Sequence, residues 1–269
     1  MKMRSALRNV TLFLVDVDGV IIKGRTQIPG APQAIEALRR HGATAIFVTN
    51  NASRSRISLA QELCEIGIGA TPEQTLTTAY LAAKHLLNTD ARRIFMVGEA
   101  GLREELTNAG LTVVGDDAGD CDAVVVGIDR AFTYGKMASA NGFIRKGAEF
   151  IATNTDATLP TERGEDPGAG ALVASIAKCT GRRPTIMGKP SPNLVKMALD
   201  MTGKGLRQTA VVGDRPETDM AMARRSGCLG ILLLTGISTH RRRGEYPVRQ
   251  RPHLIFSSLQ ELAESYVQE

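Results

Sequence analysis

The sequence predicts an α/β protein built on a mainly parallel sheet, with a second α/β unit inserted into it. Three observations carry that expectation. Short runs rich in Val, Ile, Leu and Phe alternate with amphipathic segments, and Gly or Pro punctuates the joins. The two ends of the chain share this rhythm, while the middle has a complete set of elements of its own. Turn-forming or polar residues occupy the two changeovers, Thr75 to Thr78 and Gly181 to Pro184. The expected division is 1–76 and 184–269 for the halves of one sheet domain and 77–183 for the insert.

The elements follow in order. Val10 to Val15 is an unbroken apolar run and reads as the first strand. Pro32 opens a helix that runs to Arg40 and stops at Gly42, and Ala43 to Val48 is the next strand. A helix over Ile57 to Ile66 ends the first part. The middle carries helices at Thr78 to Leu87, Leu102 to Ala109 and Tyr134 to Lys146, with strands at Ile94 to Val97, Ala123 to Val126 and Phe150 to Ala152. Beyond it, strands at Thr185 to Met187, Thr209 to Val212 and Gly230 to Leu234 alternate with helices at Pro192 to Met201 and Thr218 to Arg225. Gly168 and Gly170 in PGAGA lack a full GxGxxG or Walker pattern, so the start of a helix is preferred there over a phosphate-binding loop.

Composition bounds the function. With 43% hydrophobic and 23% charged residues over 269 positions the chain has the make-up of a soluble globular protein, and no apolar stretch approaches the roughly 20 residues of a membrane span. Lys2, Arg4 and Arg8 precede the first apolar run in the order of a signal peptide, but the run is short and ends in Asp16 and Asp18. A retained strand and a cytoplasmic protein are therefore expected. Cys64, Cys121, Cys179 and Cys228 are widely spaced, without a CxxC pair, and are expected as small core residues. His41, His85, His240 and His253 are scattered and read as structural or surface residues. Arg241, Arg242, Arg243, Arg249 and Arg251 gather against one Glu245 within a chain of net charge +5. No aromatic-rich binding motif accompanies them, so a solvated loop is expected and nucleic acid is not expected as a partner.

In an open parallel sheet, ligands bind beyond the carboxyl ends of the strands. Four predicted strands end there in polar groups: DVDG at Asp16 to Gly19, TNN at Thr49 to Asn51, GKP at Gly188 to Pro190, and GDRPETD at Gly213 to Asp219. Converging, Asp16, Asp18, Asp214 and Asp219 make an acidic cluster that calls for a hard cation with oxygen ligands, for which Mg²⁺ is the natural choice. Lys189, the Thr49 hydroxyl and backbone N–H groups around Asn50 add what a phosphate group needs. Asp16 can attack phosphorus, and Asp18, two residues on and on the same side of an extended chain, can carry the proton.

This ordered set resembles the haloacid dehalogenase (HAD) superfamily of phosphatases: DVDGV its first motif, VTNN its second, Lys189 its third and GDRPETD its fourth. GIDRAFTYGK, FIATNTD and PTERGEDPGAGA further resemble the NagD-like and 4-nitrophenylphosphatase-like group. The resemblance spans nearly the whole chain and implies a Rossmann-like core with an inserted α/β cap. It implies Asp16 as nucleophile and Mg²⁺ ligand, Asp18 as general acid/base with its carbonyl on Mg²⁺, Asp214 as the remaining ligand and Asp219 standing behind the ligands. Thr49, Asn50, Asn51 and Lys189 would hold the phosphoryl group. Asn154 and Asp156 are candidate substrate contacts from the cap, as are Glu162, Arg163, Glu165 and Asp166. The implied activity is hydrolysis of small phosphate monoesters through an aspartyl phosphate, the partner is a small phosphorylated metabolite with no membrane involved, and a homodimer through the cap is admitted. Thr155 departs from the proline that relatives often have in a TNPD sequence, which bears on loop shape. A phosphotransferase, and a non-catalytic binding or regulatory protein of this fold, stay open as alternatives.

Overall fold

The computed structural model describes residues 4–24, 26–161, 164–236, 238 and 243–268. The chain forms two compact units. One comprises residues up to Thr49, Ala60–Leu76 and Lys189 onward; the other comprises Asn50–Leu59 and Thr77–Gly188.

The first unit is built on a six-stranded sheet in the order Leu254–Phe256, Leu229–Leu233, Thr209–Gly213, Leu12–Asp16, Thr44–Thr49, Thr75–Thr77. Leu12–Asp16 is buried along its whole length, as an unbroken apolar run in a parallel sheet covered on both faces should be. It pairs in parallel with Thr209–Gly213 on one side and Thr44–Thr49 on the other. The chain leaves this strand in one direction, then returns to fill the opposite side. That reversal makes the neighbouring strand ends the expected place for a ligand. The helix Ala31–Arg40 buries Ala31, Ala34, Ile35 and Leu38, one apolar stripe at helical spacing, and packs against Leu259–Val267. Tyr266 of that last helix meets Phe13 edge-on at 5.2 Å and donates its hydroxyl to Val10 O at 2.8 Å.

The second unit has a five-stranded parallel sheet in the order Thr185–Ile186, Glu149–Ala152, Ala123–Val126, Arg93–Val97, Thr112–Val114. Phe95, Val124, Phe150 and their neighbours pack with Phe143 and Ile144 of helix Tyr134–Lys146 and Val173 and Ile176 of helix Ala169–Thr180. Thr133 caps the first of these helices by accepting from Lys136 N at 3.2 Å, and Gly147 ends it in a left-handed conformation.

Several expectations are corrected. Thr185–Ile186 pairs with Ile151 and Ala152, so it belongs to the second sheet, and the unit boundary falls after Gly188 rather than before Pro184. A two-residue edge strand carries no pattern that names its sheet. Asn50–Leu59, expected in the first unit, groups with the second. The segment expected as a helix from Thr218 begins as a wide turn over Pro216–Met220 and becomes α-helical only at Ala221–Ser226. Of the cysteines only Cys228 is buried; Cys64 is exposed and Cys121 and Cys179 are half-buried. Among the described residues, no helix is long and apolar enough to cross a membrane.

Candidate active site

Register explains why the acidic residues meet. Val15 lies opposite Val212 and Asp16 opposite Val48, so Asp16 ends its strand beside Gly213, one residue before Asp214, and beside Val48, one residue before Thr49. Asp16, Asp214 and Asp219 place carboxylate oxygens within 4.8 Å of one another. Lys189 joins them: its ammonium lies 2.7 Å from Asp16 Oδ1 and 2.7 Å from Asp219 Oδ1. All four are withdrawn from water, with Asp16 5%, Asp214 2%, Asp219 0% and Lys189 3% exposed, so their charges act on one another with little screening.

The surroundings hold each group in place. The Val17 N–H donates to Asp16 Oδ1 at 2.9 Å and, with Lys189, sets the rotation of that carboxylate. Asp18 is half-buried, and its Oδ2 accepts the Thr49 hydroxyl at 2.9 Å. The turn after Asp18 needs Gly19: its φ is +91°, and a Cβ there would stand 2.5 Å from Asp214 Oδ2. Asp219 is held by the Arg215 N–H, which donates to its Oδ2 at 3.1 Å, and fills the space where a side chain on Gly213 would go.

Electrostatics sharpen the picture. Burial pushes the Asp16 carboxyl well above the usual carboxylate range, and although Lys189 opposes this, the nearby Asp219, Asp214 and Asp18 add to it. Burial lowers the proton affinity of Lys189, but Asp16 and Asp219 outweigh it and hold the ammonium above the ordinary lysine range. Once Asp16 gives up its proton, three buried carboxylates against one buried ammonium leave two uncompensated negative charges, which is the charge of a divalent cation with the sign reversed. The donor set therefore fits a hard, oxygen-seeking ion such as Mg²⁺. Asp219 belongs to the carboxylate cluster itself as well as to the Lys189 pair.

Asn50 and Asn51 sit differently. Asn50 Nδ2 donates to Asp156 at 3.0 Å, while its carbonyl accepts from Thr78 Oγ1 at 2.9 Å and Asn154 Nδ2 at 2.7 Å. Asn154 Oδ1 in turn accepts from Asp156 N at 3.0 Å. Both expected substrate contacts thus grip the loop that follows Thr49. Asn51 Oδ1 accepts from Ser53 N at 3.0 Å and Ser53 Oγ at 2.7 Å, a local turn ahead of helix Arg56–Glu65. Gly168 caps a helix, and Gly168 and Gly170 lie so close to the backbone of Thr155 and Asp156 that no side chain would fit. Glu165 and Asp166 lie on an exposed strand; Glu162, Arg163, His240, Arg241 and Arg242 fall outside the described residues.

One strand end escaped the sequence reading. After Leu229–Leu233, Thr235 donates to Gly19 O at 2.7 Å, Ser238 donates to Asp214 O at 2.5 Å, and Gly236 lies against the Asp214 carboxylate. The signal was available in LTGIS, a fifth cluster of small hydroxyl and glycine residues just past an apolar run.

Sequence comparison now decides the family. A model for haloacid dehalogenase-like hydrolases matches residues 13–112, and a second, HAD-hydrolase-like model matches residues 186–262. The chain belongs to the haloacid dehalogenase-like hydrolases. Within this family it is 37% identical over 255 residues to an acid sugar phosphatase of Staphylococcus haemolyticus, covering 94% of this chain and 95% of the relative. It is 38% identical over 228 residues to a 5'-nucleotidase of Bacillus subtilis, covering 84% and 88%. Among solved structures of HAD-like proteins, a glycerol phosphate phosphatase from Mycobacterium tuberculosis in complex with magnesium superposes with a TM-score of 0.87 at 36% identity, over 96% of this chain and 77% of that one.

Proposed function

We propose that this protein is a Mg²⁺-dependent hydrolase of small phosphate monoesters that works through an aspartyl phosphate on Asp16. The carrying observation is the buried cluster at the strand ends: Asp16 beside Asp214 and Asp219, with the Lys189 ammonium 2.7 Å from Asp16 Oδ1. Relatives named for sugar phosphate, nucleotide and glycerol phosphate hydrolysis support the phosphatase reading and make those three ester classes the first to test. The substrate class also fits a cytoplasmic protein.

The chain's own groups suffice to describe the proton and bond changes. Asp16 attacks phosphorus while the bond to the leaving oxygen breaks, and Asp18, protonated at this stage, delivers its proton to that oxygen. Asp18, now a carboxylate, takes a proton from water as the water attacks the aspartyl phosphate, releasing inorganic phosphate and restoring Asp16. Thr49 orients Asp18 through the 2.9 Å hydrogen bond, and Lys189 neutralises charge on the transferring group. Asp16, Asp214 and the Asp18 carbonyl would hold Mg²⁺, with Asp219 behind them keeping Lys189 in place. When bound, the ion screens the phosphate's negative charge from the attacking carboxylate.

Release of inorganic phosphate from 4-nitrophenyl phosphate and from a panel of sugar phosphates, nucleoside monophosphates and glycerol phosphate tests the reading. Turnover should need Mg²⁺ and should fall by at least about 10³-fold in Asp16→Asn with the circular dichroism spectrum unchanged. Retained turnover in that variant would refute the nucleophile assignment. Folded protein that releases no phosphate from any ester would refute the function.

A further inference from the structure

The arginine-rich stretch near the C-terminus has no part in the chemistry above, yet it builds a cluster of its own. Arg224, on helix Ala221–Ser226, meets Arg243 and Arg251 from the segment ahead of strand Leu254–Phe256. Each guanidinium is anchored to backbone through Nε. Arg224 Nε donates to Arg251 O at 2.8 Å, Arg243 Nε to Pro252 O at 2.7 Å, and Arg251 Nε and Nη2 both to Tyr246 O at 3.3 Å. The ion pairs found among the described residues do not include these three arginines, and the acid in their segment, Glu245, is exposed. Like charges crowd as a result: burial, then Arg243 and Arg251, lowers the proton affinity of Arg224, and burial, then Arg224 and Arg243, does the same to His253. Arg243, Gly244 and Arg251 line a groove of about 280 Å³ that opens to solvent.

Three guanidiniums pinned to backbone beside a single exposed acid, Glu245, leave a net positive cluster that an anion would complete. We propose that this groove is a binding site for a small polyanion carrying two linked phosphate groups, separate from the catalytic cluster. The Nε anchors hold the side chains in place while the terminal nitrogens of Arg224 and Arg243 keep their donors, the fork that pairs with phosphate oxygens. Two arginines lining the groove, with Arg224 hydrogen-bonded to the backbone of Arg251 beside them, match a diphosphate better than a single phosphate. The glycine at position 244 presents backbone without a side chain in the way. A nucleic acid is the poorer fit, since Tyr246, the one Phe, Tyr or Trp from 243 to 253, is buried and offers no face for a base to stack on.

The test is calorimetric titration of methylenediphosphonate, whose P–C–P bridge resists ester hydrolysis, into the full-length protein in EDTA. Saturable binding is expected, at least about tenfold weaker in Arg243→Gln/Arg251→Gln and weakening as salt is added. Asp214→Asn should leave the affinity within about threefold, because Asp214 is not among the residues that line the groove. Hydrolysis of 4-nitrophenyl phosphate by the double variant reports that it is folded; should it not fold, the single variant of the exposed Arg243→Gln must still weaken binding. The proposal fails if wild-type protein shows no binding at millimolar ligand, if the folded double variant binds as tightly as wild type, or if Asp214→Asn changes the affinity more than threefold. Displacement of the diphosphonate by a short single-stranded DNA at lower concentration would overturn it in favour of a nucleic-acid surface.

Discussion

Lys189 is the residue on which the acidic cluster depends, because it is the only cation within reach of Asp16 and Asp219 among the described buried residues. Removing one partner of a buried ion pair typically costs roughly 3–5 kcal/mol, since the remaining charges are left in a poorly solvated place. Lys189→Met should therefore lower stability by about that much in metal-free urea titrations, lose less with Mg²⁺ present, and abolish turnover. A loss below about 1 kcal/mol without metal would show that the cluster is already neutralised by protons. A second buried acid gives a pH signature. Glu105 in the other unit is 4% exposed and takes the Arg56 N–H on Oε1 at 2.5 Å, with Arg56 Nε 3.6 Å away. Burial still lifts its carboxyl above the ordinary 4.5, against the pull of the Arg56 hydrogen bond and charge. A raised folded-state value means that its contribution to stability is complete below 4.5 and is lost as the pH climbs through the folded-state value. Glu105→Gln cannot ionise, so its melting temperature relative to wild type should move upward as pH rises from 4.5 through that window. A difference that stays flat, or moves the other way, would show that the ion pair with Arg56 outweighs the cost of burial.

At the scale of elements, the site is a set of strand ends, and the join between Thr209–Gly213 and the turn Pro216–Met220 is its tightest point. A Cβ on Gly213 would overlap the Asp219 carboxylate, so Gly213→Ala must push Asp219 away from Lys189. Small displacements of positioned groups can cost on the order of 10²-fold in rate. The variant should keep its secondary structure but lose turnover by about that factor, measured as kcat; near wild-type kcat would mean Asp219 has no positioning role. The same elements show what was legible in the sequence. Leu12–Asp16 and Ala123–Val126 were readable as unbroken apolar runs, and Thr78–Leu87 and Tyr134–Lys146 as helices of ten or more residues with a threonine cap. So were the polar strand ends, since a buried run that stops at carboxylates is rarely neutral in meaning. The short pieces were not. Thr75–Thr77, Thr112–Val114 and Leu254–Phe256 are three residues each, too few to show an alternation, and the hairpin Thr158–Thr161 with Gly164–Pro167 is an antiparallel pair built largely of polar and turn-forming residues. Nor did the sequence disclose that Asn154 and Asp156 would spend their hydrogen bonds on Asn50, because a pairing across more than 100 positions has no local signature.

For the molecule as a whole, the metal site proposed above would couple a bound cation to folding. The chain carries a net charge of +5, yet it buries carboxylates whose mutual repulsion is relieved in the metal-free state partly by keeping Asp16 protonated. A ligand that binds only the folded state stabilises it by RT ln(1 + [L]/Kd), about 2.7 kcal/mol when the free concentration is 100 times Kd. Mg²⁺ should thus raise the melting temperature of the wild-type protein in a concentration-dependent way, and Asp214→Asn, which removes one of the three clustered carboxylates, should abolish most of that rise. The pH dependence has a definite sign. Because the folded metal-free protein holds a proton on Asp16 above the ordinary carboxylate value of 3.8, that group's contribution to stability is present below 3.8 and fades as pH rises through its folded-state value. Cation binding displaces the proton, so affinity and the Mg²⁺-induced rise in melting temperature should both grow across the same interval. Differential scanning calorimetry at a fixed Mg²⁺ concentration, stepped in pH, reads this directly. A rise in melting temperature that is independent of pH, or that survives intact in Asp214→Asn, would mean that the ion binds elsewhere and that the buried acids are neutralised by protons and Lys189 alone.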